Sequence, residues 1–335
     1  MRTTEEYKNL SIKEFTKAAK RYDSEHIEET QEIKNYTYTN DTGDAQSIVY
    51  HVFPGVEVAY TSVHMADFDF DIFEQGLRKN YVSIHYCREG RIEQEIDNEF
   101  FYLMPGDCSI VIQDKPFKTF QLPLKHYHGI RIGVDLVEAE NPLITFLESC
   151  DYDPLEILKR ICGDRHLAVL RGSNVAKGFF EALYDIDDQR RWDYLRIKLP
   201  EMFYLMKYTQ IDSDYYDRTL LPRTQVEFVK NVAEYISKNL NNKITVKKLT
   251  LEFGVSDTYL QNAFRGVYGM PVISFIRVQK MQTAAQMLIH TTRSVDEIAE
   301  EFGYKNESKF SAAFKKIMGD TPSVYRKEHS KVKII

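Results

Sequence analysis

Two pairs of side chains in the first half of the sequence could bind a metal ion or a small molecule. His126 and His128 stand two residues apart in KHYHGIRIG, and His85 and Cys87 stand two apart in SIHYCRE. Successive side chains of a β-strand point to opposite faces, so each pair would project from one face of its strand. Imidazole and thiolate groups bind transition metals, and imidazole also hydrogen-bonds small ligands. We therefore expect these four residues to bind an effector; the alternative is that they are ordinary strand residues or hydrogen-bond partners.

The cysteines do not form a metal or disulfide pattern. Cys87, Cys108, Cys150 and Cys162 are scattered along the chain without a CxxC pair. A structural zinc site needs four closely spaced ligands, and a disulfide framework is typical of small secreted domains. We therefore expect reduced thiols in the core, no bound metal and no cofactor.

A second set of candidate residues lies in a phrase that occurs twice in the last third. The chain reads EFGVSDTYLQNAFRG from Glu252 and EFGYKNESKFSAAFKK from Glu301. In each copy a glycine ends one short helix, because glycine adopts the left-handed conformation of a tight helix exit. A capping residue then begins a second helix, Ser256 in the first copy and Asn306 in the second. Two helices that meet at such a turn form a helix-turn-helix, whose second helix fits the major groove of DNA.

The elements around these copies are predicted from the apolar periodicity. A helix from Val226 to Leu240 precedes the first copy. The sequence SVDE from Ser294 forms a capping box before the second copy. Between the copies a helix over residues 272–290 would span about 28 Å at 1.5 Å per residue, close to the roughly 34 Å between successive major grooves. The spacing predicts that one chain reads two consecutive grooves.

The charge distribution agrees with a nucleic-acid partner for the C-terminal part only. The whole chain has a formal net charge of −6, with 44 Lys and Arg against 50 Asp and Glu. From Pro222 to the end there are 18 Lys and Arg against 11 Asp and Glu, a net charge of +7, and the first 221 residues carry 26 against 39, a net charge of −13. A basic module on an acidic chain suggests a polyanionic partner for that module.

The segment from Phe228 to Lys327 resembles the C-terminal DNA-binding domain of the AraC/XylS transcription regulators. The sequence IAEEFGYKNESKFSAAFKKIMGDTPSVYRK from Ile298 matches the signature of the second unit nearly from end to end. The resemblance implies seven helices, two helix-turn-helix units and binding to promoter DNA. Thr250 stands where the family commonly has a small residue. In the second recognition helix the family often has Gln, Ser and His and then Arg, where this chain has Glu307, Ser308, Lys309 and Ala312. Because Glu307 repels phosphate and Ala312 offers only a methyl group, we expect the first helix-turn-helix to supply more of the base readout.

The candidate DNA-binding residues follow from the outward faces of the two second helices and from their caps. Side chains that donate and accept hydrogen bonds are candidates for base contacts, and basic side chains are candidates for phosphate contacts, which carry no sequence information. The candidate set comprises Ser256, Thr258, Tyr259, Gln261, Asn262, Arg265, Asn306, Glu307, Ser308, Lys309, Ser311, Lys315 and Lys316, with Arg265, Lys309, Lys315 and Lys316 as the phosphate contacts.

The first two thirds of the chain predict a strand-rich fold with a helical annex. Short alternating segments separated by Pro-Gly and Asp-Asn turns are typical of a β-sandwich or barrel. LMPGDCSIV, from Leu103, resembles a turn of the cupin fold, and cupin-like barrels commonly precede AraC-type domains as effector-sensing domains. Metal-bearing cupins follow an HxH pair with a Glu and a further His, and this chain has Arg131 and Ile132 after its pair. We therefore expect no catalytic metal.

Helical periodicity returns over residues 174–209, where Pro200 is expected to interrupt and kink the second helix. The apolar stripe of this annex could pack on the barrel or against a second chain. We also expect a helix over residues 4–22. The predicted domains are 1–210 for the sensing and dimerisation domain, 211–224 for the linker, 225–328 for the DNA-binding domain and 329–335 for a tail.

The fold class expected is an α+β multidomain protein, with an N-terminal cupin-like β-barrel and helical annex and a C-terminal all-α double helix-turn-helix domain. The expected function is that of a cytoplasmic, non-enzymatic, sequence-specific transcriptional regulator controlled by a small-molecule effector. The expected partners are double-stranded promoter DNA, the effector, RNA polymerase if the protein is an activator, and a second copy in a homodimer, with no membrane. Two alternatives remain: a constitutive DNA binder whose barrel only dimerises, and a cupin metalloenzyme with a DNA-binding tail.

Overall fold

The computed structural model describes residues 24–30, 32–40, 43–65, 81–96, 98–113, 120–137, 141–209, 220–242 and 244–329. The chain divides into two compact units that meet between Leu220 and Leu221. The helix predicted over residues 4–22 lies outside the described residues, as do most of the predicted linker and the end of the predicted tail.

The N-terminal unit is a domain of antiparallel β-sheets covered by helices, as predicted. Its larger sheet has the strand order β1-β2-β3-β4-β10-β5-β8-β11, and every neighbouring pair is antiparallel. In the smaller sheet β6 pairs with β7 on one side and β9 on the other. The described strands of this unit are β1 Ser24–Glu29, β2 Ile33–Asn40, β3 Gly43–Phe53, β4 Val56–Met65, β5 Tyr81–Gly90, β6 Ile92–Ile96, β7 Glu99–Leu103, β8 Cys108–Gln113, β9 Phe120–Gln121, β10 Tyr127–Asp135 and β11 Leu167–Leu170.

The two faces of the larger sheet bury different cores. On β5, Val82, Ile84 and Tyr86 belong to a core shared with the helices, whereas Cys87 belongs to a second core that includes Phe101 of the smaller sheet. This separation follows from strand alternation, because residues two apart share a face and neighbours do not. One face of the larger sheet therefore packs against the helices, and the other face packs against β6 and β7.

The helical annex packs on the sheet, which was the first of the two alternatives for its apolar stripe. Leu199 and Phe203 lie in the same core as Ile84. The last helix continues past Pro200 to Tyr208, so the predicted interruption is wrong; buried Leu199 and Met202 on either side hold the helix against the sheet. The annex consists of α3 Asn174–Tyr184 and α4 Asp188–Tyr208. Two helices that were not predicted precede it, α1 Pro142–Ser149 and α2 Pro154–Cys162, with a 3₁₀ turn at Gly163–Arg165.

All four cysteines are free thiols, and three of them are buried. Cys87, Cys108 and Cys162 lie in the core as expected. The expectation is wrong for Cys150, which is exposed because it directly follows the last residue of α1 and caps that helix.

Among its described residues, the C-terminal unit is all helical apart from a two-residue strand at Leu221–Pro222. Seven helices lie among its described residues, as the resemblance implied, and the first begins at Arg223, three residues before the predicted start. None of the helices described in either unit is long and apolar enough to cross a membrane. The helices are α5 Arg223–Lys238, α6 Val246–Phe253, α7 Asp257–Tyr268, α8 Val272–His290, α9 Val295–Glu301, α10 Glu307–Met318 and α11 Pro322–His329.

Candidate nucleic-acid interface

The first helix-turn-helix consists of α6 and α7, and its local signals behave as predicted. The Thr245 side chain accepts a hydrogen bond from the amide of Lys248 and caps α6. Gly254 ends α6 with a φ of 65°, the left-handed conformation that side chains with a Cβ adopt with strain. The Ser256 hydroxyl then accepts the amide of Tyr259 at 3.2 Å and caps α7. The turn angle is therefore fixed by one glycine between two capped helices.

The inward side of the first unit is apolar, and an aromatic cluster closes its edge. Leu260 and Phe264 are fully buried. The Phe253 ring meets the rings of Phe228 and Tyr235 edge-on, with centroids 6.1 and 5.6 Å apart. Packing against α5 therefore holds α6 and α7 in place.

The second helix-turn-helix, α9 and α10, repeats the same arrangement. Ser294 and Glu297 form the predicted capping box, in which the Glu297 side chain accepts the amide of Ser294 at 2.7 Å. Gly303 has a φ of 81°, and Asn306 Oδ1 accepts the amide of Lys309 at 3.1 Å. Phe310 occupies the place that Leu260 has in the first unit, and it is also fully buried.

Most candidate DNA-binding side chains are exposed on the two second helices. Tyr259 is 44 % exposed, although its ring also packs 5.3 Å from that of Phe228. Ser256 and Asn306 are exposed, but their side-chain oxygens are already used as caps. Ser311 is only half-buried. The remaining exposed candidates are Thr258, Asn262 and Arg265 on α7 and Glu307, Ser308, Lys309, Lys315 and Lys316 on α10.

Gln261 has a role inside the protein that sequence reasoning missed. It is half-buried, and its Oε1 accepts the backbone amide of Val272 at 3.2 Å, while its Nε2 donates to Asp257 Oδ1 at 3.1 Å. Val272 begins α8 after Pro271, whose side chain has no oxygen to cap the helix. The sequence contained one indication of this role. Because Pro271 cannot cap α8, the first amides of that helix require an acceptor from another residue.

Side-chain hydrogen bonds join the connecting helix α8 to the turn of the second helix-turn-helix and to α11. Lys280 Nζ donates to the carbonyl oxygen of Phe302 at 2.8 Å, in the turn between α9 and α10, and partial burial lowers the pKa of Lys280. Near the end of α8, Arg326 Nε of α11 donates to the carbonyl oxygen of Leu288 at 3.2 Å. Neither contact produces a periodic signal in the sequence, so neither was predicted.

In the N-terminal unit, His85 and Cys87 are both buried, and strand alternation places them on the face of β5 that looks toward the smaller sheet. Cys87 is fully buried in the core on that face. His85 is 4 % exposed, and its Nε2 lies 2.8 Å from Ser83 Oγ. Burial, with a smaller contribution from the neighbouring Arg131 guanidinium, lowers the pKa of His85 to about 3, so the imidazole is neutral. It can therefore act as a hydrogen-bond partner without carrying charge.

His126 and His128 lie in a different environment, together with His64. The Nε2 atoms of His64 and His128 are 2.6 Å apart, and the ring of His126 stacks on that of His64 with centroids 6.1 Å apart. His128 Nδ1 lies 3.6 Å from Glu89 Oε2. Burial and the nearby His64 lower the pKa of both His126 and His128.

The four candidate effector residues are not brought together. His128 Nε2 lies 3.0 Å from Ser62 Oγ, and Ser62 stands two residues after Tyr60 on β4. Tyr60 packs against the helical annex, whereas Cys87 faces the smaller sheet. The two pairs thus occupy opposite faces of the larger sheet. Among the residues that the structure describes, no group of three or more His, Cys, Asp or Glu side chains is arranged to hold a metal ion.

Comparison with known proteins finds matches to DNA-binding proteins over about a third of the chain. A model of a helix-turn-helix domain matches residues 249–328. The chain is 38 % identical over 99 residues to the F1 operon positive regulatory protein of Yersinia pestis, a match that covers 29 % of this chain and 33 % of that protein. It is 29 % identical over 100 residues to the regulatory protein SoxS of Salmonella typhimurium, covering 30 % of this chain and 94 % of that protein.

A solved structure is similar over the same length. It is that of a probable AraC family transcriptional regulator from Rhodopseudomonas palustris, 27 % identical, covering 31 % of this chain and 98 % of that one with a TM-score of 0.29. The matched sequences and the two capped helix-turn-helix units of the C-terminal unit agree that this part of the chain is a helix-turn-helix domain. Residues 249–328 thus resemble the helix-turn-helix domain of the AraC/XylS transcription regulators.

Proposed function

We propose that the protein is a transcription regulator that binds promoter DNA through both helix-turn-helix units and responds to a small molecule bound in its N-terminal unit. One observation carries the DNA-binding part of this proposal. Two capped helix-turn-helix units lie in one compact unit of the chain, and each presents exposed polar side chains on its second helix.

The length of α8 supports simultaneous binding of both units. It has 19 residues, which at 1.5 Å per residue corresponds to about 28 Å. Successive major grooves on one side of DNA are about 34 Å apart, so recognition helices at the two ends of such a helix can enter neighbouring grooves. A small bend of the DNA would accommodate the remaining difference.

The net charge of +7 over residues 222–335 supports binding to the phosphate backbone. Arg265 at the end of α7 and Lys309, Lys315 and Lys316 on α10 are proposed to contact phosphates. Thr258, Tyr259 and Asn262 are proposed to contact bases, with Ser308 and Ser311 in the second unit. Glu307 is exposed at the start of α10, where a carboxylate would repel DNA phosphates, so the first helix-turn-helix is proposed to contribute more to base readout.

A small-molecule effector is proposed for the N-terminal unit, where neutral His85 and the nearby Cys87 are buried inside the sheet domain. An effector that binds one conformation of this unit more tightly would shift the population of chains that can bind DNA. RNA polymerase and a second copy of the chain are proposed as further partners. His126 and His128 stand as a separate candidate site on the other face of the sheet.

The DNA-binding proposal is tested with the full-length protein. Duplexes enriched from a random-sequence pool are footprinted, and we expect two protected segments about one helical turn apart on the same side of the DNA. Glu307→Ala removes the repulsive carboxylate and should tighten binding, whereas Asp188→Ala, an exposed carboxylate of the N-terminal unit, should not. Protection of a single groove, or enrichment of no sequence, contradicts the proposal.

The effector proposal needs a separate experiment. The melting temperature of the full-length protein is measured against a panel of metabolites and metal ions, and each hit is then tested for its effect on DNA affinity. A compound that raises the melting temperature and changes DNA affinity supports effector control. Compounds that stabilise the protein but leave DNA affinity unchanged argue for a constitutive DNA binder.

A further inference from the structure

The two helix-turn-helix units are joined by a side-chain bridge as well as by α8. Asn241 lies in the turn that follows α5, and its Nδ2 donates to Glu301 Oε1 at 3.0 Å. Glu301 is the last residue of α9, sixty positions further along the chain. This hydrogen bond therefore connects the helix that supports the first unit directly to the first helix of the second unit.

Both carboxylate oxygens of Glu301 are used, and they bind different segments. Oε1 accepts from Asn241, and Oε2 accepts from the Arg293 guanidinium, in the connection between α8 and α9. Arg293 also donates to the carbonyl oxygen of Glu297 at 3.2 Å. Its own carbonyl oxygen accepts from Arg326 of α11. Glu301 of α9 is thus bonded both to the turn between α5 and α6 and to the connection between α8 and α9.

We infer that the Asn241–Glu301 bridge fixes the angle between the two recognition helices, and that Glu301 is a positioning residue which makes the protein select binding sites by the spacing of their two halves. The inference rests on the proposed DNA binding. A single helix such as α8 fixes the distance between two units but can still bend, and its attached units can rotate. A second connection that does not run through α8 opposes that rotation.

The geometry of DNA makes this rotation measurable. B-DNA turns once in about 10.5 base pairs and rises about 3.4 Å per base pair, so one inserted base pair rotates the second half-site by about 34°. Two recognition helices that are connected both by α8 and by the Asn241–Glu301 hydrogen bond cannot follow such a rotation without losing contacts to DNA or breaking that hydrogen bond. A pair held by α8 alone can follow it at lower cost.

The experiment compares spacing tolerance in full-length variants. Wild-type protein, Asn241→Ala and Glu301→Ala are each used to enrich duplexes from a random-sequence pool, and the distance between the two conserved blocks is read from the enriched sequences. Affinities are then measured on the wild-type consensus site with zero, one or two base pairs added or removed between the blocks. Glu300→Ala is the matched control, because it removes an exposed carboxylate from the neighbouring position of α9.

We expect a single spacing for the wild-type protein and for Glu300→Ala, with a loss of about tenfold in affinity for a shift of one base pair. For Asn241→Ala and Glu301→Ala we expect that loss to fall to about threefold, with the sequence of each block unchanged. Glu301→Gln keeps an acceptor for Asn241 and should restore part of the spacing selectivity, which a variant that merely unfolds the domain would not do.

The outcomes separate the inference from the function beneath it. Enrichment of no sequence by the wild-type protein overturns the proposed DNA binding itself. A wild-type protein that enriches two blocks at one spacing, with variants that keep the same penalty for a shifted site, leaves DNA binding in place and overturns the role of Glu301. Asn241 is exposed, so Asn241→Ala gives a decision even if Glu301→Ala does not fold.

Discussion

Gln261 Oε1 accepts the backbone amide of Val272 at 3.2 Å, which attaches the recognition helix of the first unit to the start of the connecting helix. The sequence pattern predicted that Gln261 contacts DNA, but in the structure its side chain caps α8, which the side chain of Pro271 cannot do. Because the side-chain oxygen of Gln261 already accepts a hydrogen bond within the protein, we expect Gln261 to hold α7 and α8 together rather than to read bases.

Gln261→Ala should lower the free energy of unfolding of the C-terminal unit by about 1 kcal/mol, the usual cost of losing a helix cap. Urea unfolding followed by circular dichroism measures this cost. Gln261→Glu keeps an acceptor for the amide of Val272 but loses the donor to Asp257, so it should retain only part of the stability. The control is Asn262→Ala, since Asn262 is exposed and caps no helix. Equal stability of Gln261→Ala and the wild-type protein would show that the cap is not formed in solution.

Arg265→Ala should weaken binding to all DNA sequences alike, because a phosphate contact carries no base information. The slope of log affinity against log salt concentration should become shallower by about one unit, since one fewer counterion is released. Affinities measured on one enriched duplex and one scrambled duplex over a salt series test this. Arg190→Ala removes an exposed arginine from the N-terminal unit and should leave the slope unchanged. A change in base preference with Arg265→Ala would instead assign Arg265 to base readout.

The stability of the N-terminal unit should depend on pH through His85. The imidazole has an ordinary pKa of 6.5, and burial lowers it to about 3 in the folded protein. Below pH 6.5 the unfolded chain binds a proton that the folded chain does not, so the stabilisation is complete above that pH and falls by about 1.4 kcal/mol per pH unit as the pH decreases toward 3.

The fluorescence of Trp192, the only tryptophan of the sequence, follows urea unfolding of this unit. We expect the wild-type protein to lose about 2 kcal/mol more than His85→Gln between about pH 7 and pH 5. His85→Gln keeps a polar partner for Ser83 but does not titrate. Parallel pH profiles for the two proteins would mean that His85 is not buried in solution.

Gln94→Met should stabilise the N-terminal unit by about 1–2 kcal/mol. The Gln94 side chain is fully buried, and neither its Nε2 nor its Oε1 has a hydrogen-bond partner among the residues that the structure describes. A buried amide without partners carries an uncompensated desolvation cost, which methionine of similar volume does not. Thermal unfolding compares this variant with Gln46→Met, which removes an exposed amide bonded to Asn35. A lower melting temperature for Gln94→Met than for the wild-type protein would point to a partner for Gln94 in solution.

The helix-turn-helix units were predictable because their signals are local. Gly254 and Gly303 mark the turns, and Ser256, Ser294 and Asn306 mark the caps within three residues of their partners. Apolar spacing then identifies which side of each helix is buried. These features depend on neighbours in the sequence, so one sequence is enough to find them.

Contacts between distant segments were not predictable in the same way. Spacing indicated that His126 and His128 share a face of a strand, but not that β4 would bring His64 to them or that His85 would lie on the other face of the sheet. The bridge from Asn241 to Glu301 likewise joins residues whose separation leaves no periodic signal. Strand order and helix packing decide such contacts, and neither can be read from alternation alone.

The exposure of Cys150 makes the natural protein convenient for spectroscopy. Burial raises the pKa of Cys87 and Cys108 well above the usual thiol range and that of Cys162 to about 12, so these three thiols are poor nucleophiles at neutral pH. A maleimide dye should therefore attach at Cys150 alone, at the end of α1. The N-terminal unit can be labelled without any engineered cysteine, and its distance to a dye on DNA can be followed by energy transfer.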